Sequence, residues 1–318
     1  MLRRALLAVA ASERIRGFVT ATPATRAVVD RFVAGESIGD AVRVARSLRE
    51  DGLLVTLDYL GEDTTDAAQA AAVATQYTQL LGKLAAEGLT EDGAVEVSVK
   101  PTALGLLLGS AGAADGITAL GERTAAEHIE RIVVAAQDAG TTVTIDAEDH
   151  RTTDAALRLA NSLRIRFGSV GTVVQAGLRR TEADVRELAV PGVRVRLCKG
   201  AYAEPLSEAF TARHDVDKSY ARCLRILFES PGYPMVATHD PRLIAITRSL
   251  GLRRSPDSFE YQMLYGVRAD EQRRLAQTGA RVRVYVPYGG DWYGYLVRRL
   301  AERPANLLFF LRSLGSSS

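Results

Sequence analysis

Arg298 and Arg299 stand side by side in DWYGYLVRRLAERPAN, residues 291–306, with Trp292, Tyr293 and Tyr295 just upstream. Adjacent residues on a helix point about 100° apart, so neighbouring guanidinium groups do not normally serve one surface. The plain reading of such a pair is a solvated helix face. The chemical reading is a double clamp on one small anion, because a guanidinium is a planar fork matched to a carboxylate or phosphate. Only four of the forty basic residues are lysine: Lys83, Lys100, Lys199 and Lys218. Where arginine is the default cation, Lys100 in SVKP and Lys199 in RLCKG are candidate point charges on an anion, or candidate Schiff-base nucleophiles.

The elements that must position these groups recur along the chain. Eight β-type runs each end in a polar cluster: LLVTLDYLGE (53–62), VEVSVKP (95–101), TVTIDAED (142–149), GTVVQAGLRR (171–180), VRVRLCKGAY (193–202), MVATHD (235–240), SFEYQMLYG (258–266) and RVRVYVPYGG (281–290). Amphipathic stretches lie between them, among them 123–140, 154–168 and 269–280, each closed by glycine or by glycine and alanine. Short apolar strands alternating with helices imply βαβ units and a parallel sheet. Eight units fit an α/β fold of the closed (β/α)8 TIM-barrel type. A doubly wound sheet is the rival, but the glycine-rich dinucleotide loop usual after its first strand is missing. The chain reads as one domain: N-terminal helices over 1–50, a barrel over 51–306 and a tail over 307–318.

In such a barrel the active site lies where the strands end. Those ends carry Asp58 and Glu62, Lys100, Asp146 with Glu148 and Asp149, Gln175, Arg196 and Lys199, His239 with Asp240, Glu260 with Gln262, and Tyr285 with Tyr288. Each alone is an ordinary polar strand end. Together they describe a wide polar mouth able to hold a sizeable cofactor and a small charged substrate. The four histidines form no HxH or HxxxH pair, so no metal site is expected. Cys198 reads as a buried small hydrophobe. Net charge is +2, which gives no field for nucleic acid. Two cysteines make no disulfide framework and point to a reducing compartment. No apolar run approaches the ~20 residues a membrane span needs. The start, MLRRALLAVAAS, reads as an N-terminal helix, with a weak signal peptide as the alternative. Three functions stand open on these residues: a cofactor enzyme acting on a small acid, a Schiff-base lyase, and a barrel used only for binding.

The set LDYLGE, SVKP, DAED, VVQA, RLCKGAY, ATHDP, EYQMLYG, VYVPYG and YLVRRLAERPAN, spread in order over roughly residues 50–306, resembles the proline dehydrogenase family of FAD-dependent barrels. The resemblance implies oxidation of L-proline to Δ1-pyrroline-5-carboxylate by hydride transfer to FAD, with electrons passed to a quinone. It implies a last helix lying over the barrel mouth, where Arg298, Arg299 and Lys100 grip the substrate carboxylate. Tyr285 and Tyr295 are then expected to flank the proline ring, with Leu264 and Tyr202 completing an apolar wall. Asp146 and Arg196 take the catalytic positions, beside the amine and the flavin ring. Glu62 is expected to pair with Arg298 as a gate. Ala147, Gln175, Arg196, Lys199, Gly200, Ala201, Thr238, His239 and Glu302 match the family's flavin contacts. Ala147, Gly177 and Gly294 depart from the methionine, tyrosine and proline frequent there. A cytoplasmic protein is implied, in at most peripheral contact with the inner face of the cell membrane, its product going to a separate pyrroline-5-carboxylate dehydrogenase.

Overall fold

The computed structural model describes residues 29–110, 116–168 and 170–296. Eight strands close into a barrel in chain order, every neighbouring pair parallel. They are β1 Leu54–Tyr59, β2 Val95–Val99, β3 Val143–Ile145, β4 Val170–Gln175, β5 Arg194–Cys198, β6 Tyr233–Ala237, β7 Glu260–Leu264 and β8 Val282–Tyr288. Helices α2 Ala67–Ala86, α3 Ala119–Asp138, α4 Thr153–Phe167, α5 Thr181–Leu188, α6 Arg213–Glu229, α7 Pro241–Gly251 and α8 Ala269–Gln277 follow β1 to β7 in turn. The strands are buried along nearly their whole length because helices cover the outside and side chains fill the inside. The three helical stretches expected from sequence are α3, α4 and α8.

Before β1 comes α1, Ile38–Glu50. Ser37 and Asp40 form a reciprocal capping box that fixes where it starts. Its face of Ala41, Val42, Val44 and Ala45 is buried, and the helix packs against both β1 and β8. That seam is where a helix following β8 normally lies in a (β/α)8 barrel. With α1 covering it, the chain after β8 is released to another place. Residues 292–296 are helical. Trp292, Tyr295 and Leu296 form a second apolar cluster with Val29, Phe32, Val33 and Leu60, apart from the main core.

The barrel interior is polar in layers. At the floor, near the strand starts, Arg283 donates to Glu260 at 2.8 Å and Arg194 to Glu96 at 2.7 Å. Glu96 and Glu260 are fully buried. Burial opposes ionisation of both, but the facing arginines outweigh it and hold both carboxyls below their ordinary range. This placement corrects the expectation for Glu260. It opens β7 and belongs to the floor, because the β-type run containing it has polar residues at both ends.

Candidate active site

The opposite end of the barrel gathers the charged groups. Asp146 is the first residue after β3, and its N–H donates to Val99 O at 2.9 Å. Its Oδ1 accepts from Arg196 Nη1 at 2.6 Å and from Ser98 Oγ at 2.7 Å; its Oδ2 accepts from Tyr285 OH at 2.6 Å. Arg196, midway along β5, also donates to Gln262 Oε1 at 2.5 Å and to Ser98 Oγ at 3.0 Å. Its guanidinium lies 5.2 Å from the centre of the Tyr285 ring, a cation–π distance. Lys100 follows β2. It donates to both oxygens of Asp58 at 2.6 Å, lies 3.8 Å from Asp146 and 3.4 Å from Tyr285 OH. Burial opposes the Lys100 ammonium, but Asp58, Asp146 and Glu62 outweigh it and raise the group above its ordinary value. A lysine held protonated is a poor nucleophile, which argues against Schiff-base chemistry there. Thus β1, β2, β3, β5 and β8 bring Asp58, Lys100, Asp146, Arg196 and Tyr285 into one array.

A second sector runs over β4 to β7. Gln175 ends β4, and its Nε2 donates to Glu148 O at 2.6 Å. Gly200 has φ +96°, and a side chain there would press on Gln175 Oε1, so bare backbone is presented at this point. Gly177 is explained by a second close approach. A Cβ on it would sit 2.7 Å from Lys199 O, so no side chain can stand here without moving that backbone. Lys199 is bound to Asp217 and Asp240, with Nζ 3.1 Å from Asp240 Oδ2. Thr238 is buried, its hydroxyl accepting from Asp240 N at 3.1 Å. His239 Nε2 accepts from Leu264 N at 2.9 Å, which puts its ring proton on Nδ1. Ala147, Ala201, Tyr202 and Leu264 are partly exposed around these groups. Cys198 is partly exposed, not buried as expected, because it closes β5 at the rim.

Tyr295 packs in the second cluster with the segment before α1. Glu62 lies partly exposed in the loop after β1 and acts by its charge on Lys100 and Glu148. The next residue, Asp63, takes φ +55°, and its N–H donates to Thr102 Oγ1 at 3.0 Å. Arg298, Arg299 and Glu302 lie outside the described residues, as does the expected helix course beyond 296.

A sequence profile of the family described as "Proline dehydrogenase" matches residues 41–312. The chain belongs to the proline dehydrogenase family. Proline dehydrogenase 1 of Bacillus subtilis (strain 168) is 36% identical over 316 residues, 99% of each chain. Proline dehydrogenase of Deinococcus radiodurans is 36% identical over 291 residues, 90% of each. Among solved structures, proline utilization A (PutA) from Bdellovibrio bacteriovorus, inactivated by N-propargylglycine, matches with TM-score 0.78 and 27% identity over 87% of this chain. This chain spans 33% of that one. The activity here is that of the monofunctional proline dehydrogenases, dehydrogenation of proline. No described helix is long and apolar enough to cross a membrane.

Four further residues hold the proline dehydrogenase site in shape; sequence reasoning missed Ser98 and Thr102 and saw Gln262 and Glu148 only as polar strand ends. Ser98 bridges Asp146 and Arg196, and its place two residues before Lys100 on one strand face was the available signal. Gln262 fixes Arg196 in the same way from β7. Thr102 and Glu148 tie the β2 and β3 loops together, Thr102 N donating to Glu148 Oε2 at 3.0 Å and Thr102 Oγ1 to Oε1. Burial pushes Glu148 up to about 8, against the Thr102 hydrogen bonds. The folded protein therefore keeps this proton while the unfolded chain, titrating near 4.5, has lost it. Its contribution to stability is complete below about pH 4.5 and is lost as pH rises through about 8. Glu148→Gln is expected to gain melting temperature relative to wild type between pH 5 and 8; parallel curves would contradict a raised Glu148.

Proposed function

We propose that this chain oxidises L-proline to Δ1-pyrroline-5-carboxylate, with FAD at the barrel mouth. The observation that carries the reading is the joined array of Lys100, Tyr285, Asp146 and Arg196, two cations and one anion linked through a phenol. The residues of the β4–β7 sector fit a flavin. Bare backbone at Gly200, the amide of Gln175, the hydroxyl of Thr238, and the cations Arg196 and Lys199 suit a polar, phosphate-bearing group. Ala147, Ala201, His239 and, from sequence, Glu302 complete that set. FAD held there would supply the hydride acceptor, with a quinone as the final electron acceptor.

The chain's own groups do the rest. Lys100, with Arg298 and Arg299, takes the proline carboxylate. Asp146 stands beside the amine to take its proton, its carboxylate held in place by Arg196, Ser98 and Tyr285. Loss of that proton leaves the nitrogen lone pair to push hydride from the neighbouring ring carbon. Tyr285, Tyr295, Leu264 and Tyr202 confine the ring and exclude water, and Glu62 closes the rim on Arg298. Arg196 holds a fixed positive charge where electron density must accumulate. Holding donor and acceptor in register supplies roughly 7–11 kcal/mol of the barrier lowering. The product is passed to a separate pyrroline-5-carboxylate dehydrogenase. One domain spans the chain, and it works in the cytoplasm, with peripheral contact at the membrane where the quinone lies.

The test is a visible spectrum of the purified protein, followed by anaerobic L-proline. Flavin bands that bleach are the expected result. A colourless protein that takes up no flavin overturns the cofactor. A yellow protein that proline does not bleach overturns the substrate array.

A further inference from the structure

Lys100 does not hold its own place. Of its three N–H donors, two go to Asp58 at 2.6 Å each, and Asp58 is 1% exposed. The third faces Tyr285 OH at 3.4 Å, too long for a good hydrogen bond. That donor is the one a substrate oxygen can take. We infer that Asp58 is a positioning residue for proline oxidation: its carboxylate aims Lys100 at the mouth and keeps it charged for the substrate carboxylate. The inference rests on the proposed role of Lys100 as a carboxylate ligand.

Asp58 has Tyr77 as a neighbour. Tyr77, from α2, lies with its OH 3.5 Å from Asp58 Oδ1, donates to Ser98 O at 2.7 Å and accepts from Tyr59 N at 3.0 Å. The groups facing Lys100 come from four places: Asp58 on β1, Glu62 in the loop after it, Asp146 with Glu148 after β3, and Tyr285 on β8. Asp146 lies farther off, at 3.8 Å, and already accepts from Arg196, Ser98 and Tyr285. Glu148 accepts from Thr102. Asp58 is the anion that gives both oxygens to Lys100. A buried ammonium stripped of its counter-ion sheds its proton more readily. Without the Asp58 charge, Lys100 titrates at lower pH, and its hold on a carboxylate is lost as pH rises.

The test uses cyclopentanecarboxylate, the ring acid without nitrogen, which neither reacts nor titrates in the alkaline range. Its Kd is measured by calorimetry on the flavin-loaded enzyme from about pH 6.5 to about 9.5, for wild type, Asp58→Asn, Lys100→Met and the double variant. Asp58→Asn is expected to weaken with pH relative to wild type, approaching about tenfold per pH unit. The double variant is expected to lose that extra slope and to match Lys100→Met. An Asp58→Asn profile parallel to wild type overturns the inference. Lys100→Met binding as tightly as wild type overturns the role of Lys100 instead. If Asp58→Asn does not fold, Asp58→Glu takes its place. It keeps the charge and shifts Nζ by a methylene, so Kd must rise about tenfold without new pH dependence; an unchanged Kd overturns the inference.

Discussion

Replacing Arg283 by methionine is expected to cost the fold about 3–5 kcal/mol, the range for removing one partner of a buried ion pair. Arg283 is 2% exposed. It donates twice to Glu260 and also to the carbonyls of Val55 and Gly93, at 2.9 and 3.1 Å. Methionine fills the volume but leaves Glu260 a buried charge and those carbonyls short of a donor. The melting temperature should drop by roughly 5–15 °C. The deficit should shrink as pH falls toward 4, for two reasons. The orphaned Glu260 of the variant becomes neutral as pH falls, and below about pH 4.5 wild type begins to lose the stability stored in its low-titrating Glu96 and Glu260. Thermal melts at pH 7 and 4.5 decide it, and equal melting at pH 7 would remove the floor pair from any role in stability. The KM for proline should barely move in what survives, because Arg283 belongs to the other end of the barrel.

Lys100→Met should behave oppositely. Truncating one cation of a buried, hydrogen-bonded clamp costs about 2–5 kcal/mol, which is roughly 30- to several-thousand-fold in KM. The fold should suffer less than with Arg283→Met, because burial and Asp146 already push Asp58 up and favour its taking a proton. Arg298→Met and Arg299→Met should raise KM in the same range. Steady-state kinetics over a wide proline range separates the cases. A Lys100→Met enzyme with wild-type KM defeats the clamp, whatever its melting temperature.

Much of this was legible from residue patterning. A strand buried on both faces reads as a short apolar run, and all eight runs became strands. Their ends were harder. The run 142–149 yields a strand of only three residues, Val143–Ile145, because Asp146 turns its side chain to Arg196 and Tyr285 at the mouth. Glu260 was assigned to the wrong end because polarity marks both ends of a run, and only the cross-strand partner Arg283 tells which. Lys100, Asp146, Arg196 and Tyr285 were each visible as motif residues, and they meet. Asp58 was visible only as one more polar strand end, since nothing local says that an aspartate on β1 and a lysine 42 positions later share two hydrogen bonds. Glu148 was likewise visible only as a polar strand end, its partner Thr102 being 46 positions away.

The seam covered by α1 also sets a schedule for folding. Its helix is made first, yet one of the two strands it packs on, β8, is made last. The β1–β8 register joins Leu54 to Arg283 and Tyr59 to Tyr288, the longest chain separation in the barrel. Contacts between such distant residues close slowly, since the intervening loop must lose its freedom before they form. A chain still on the ribosome therefore carries an open sheet edge at β1 and a half-buried apolar helix until residue 288 has emerged. Chaperone dependence and aggregation during synthesis should be governed by this one seam.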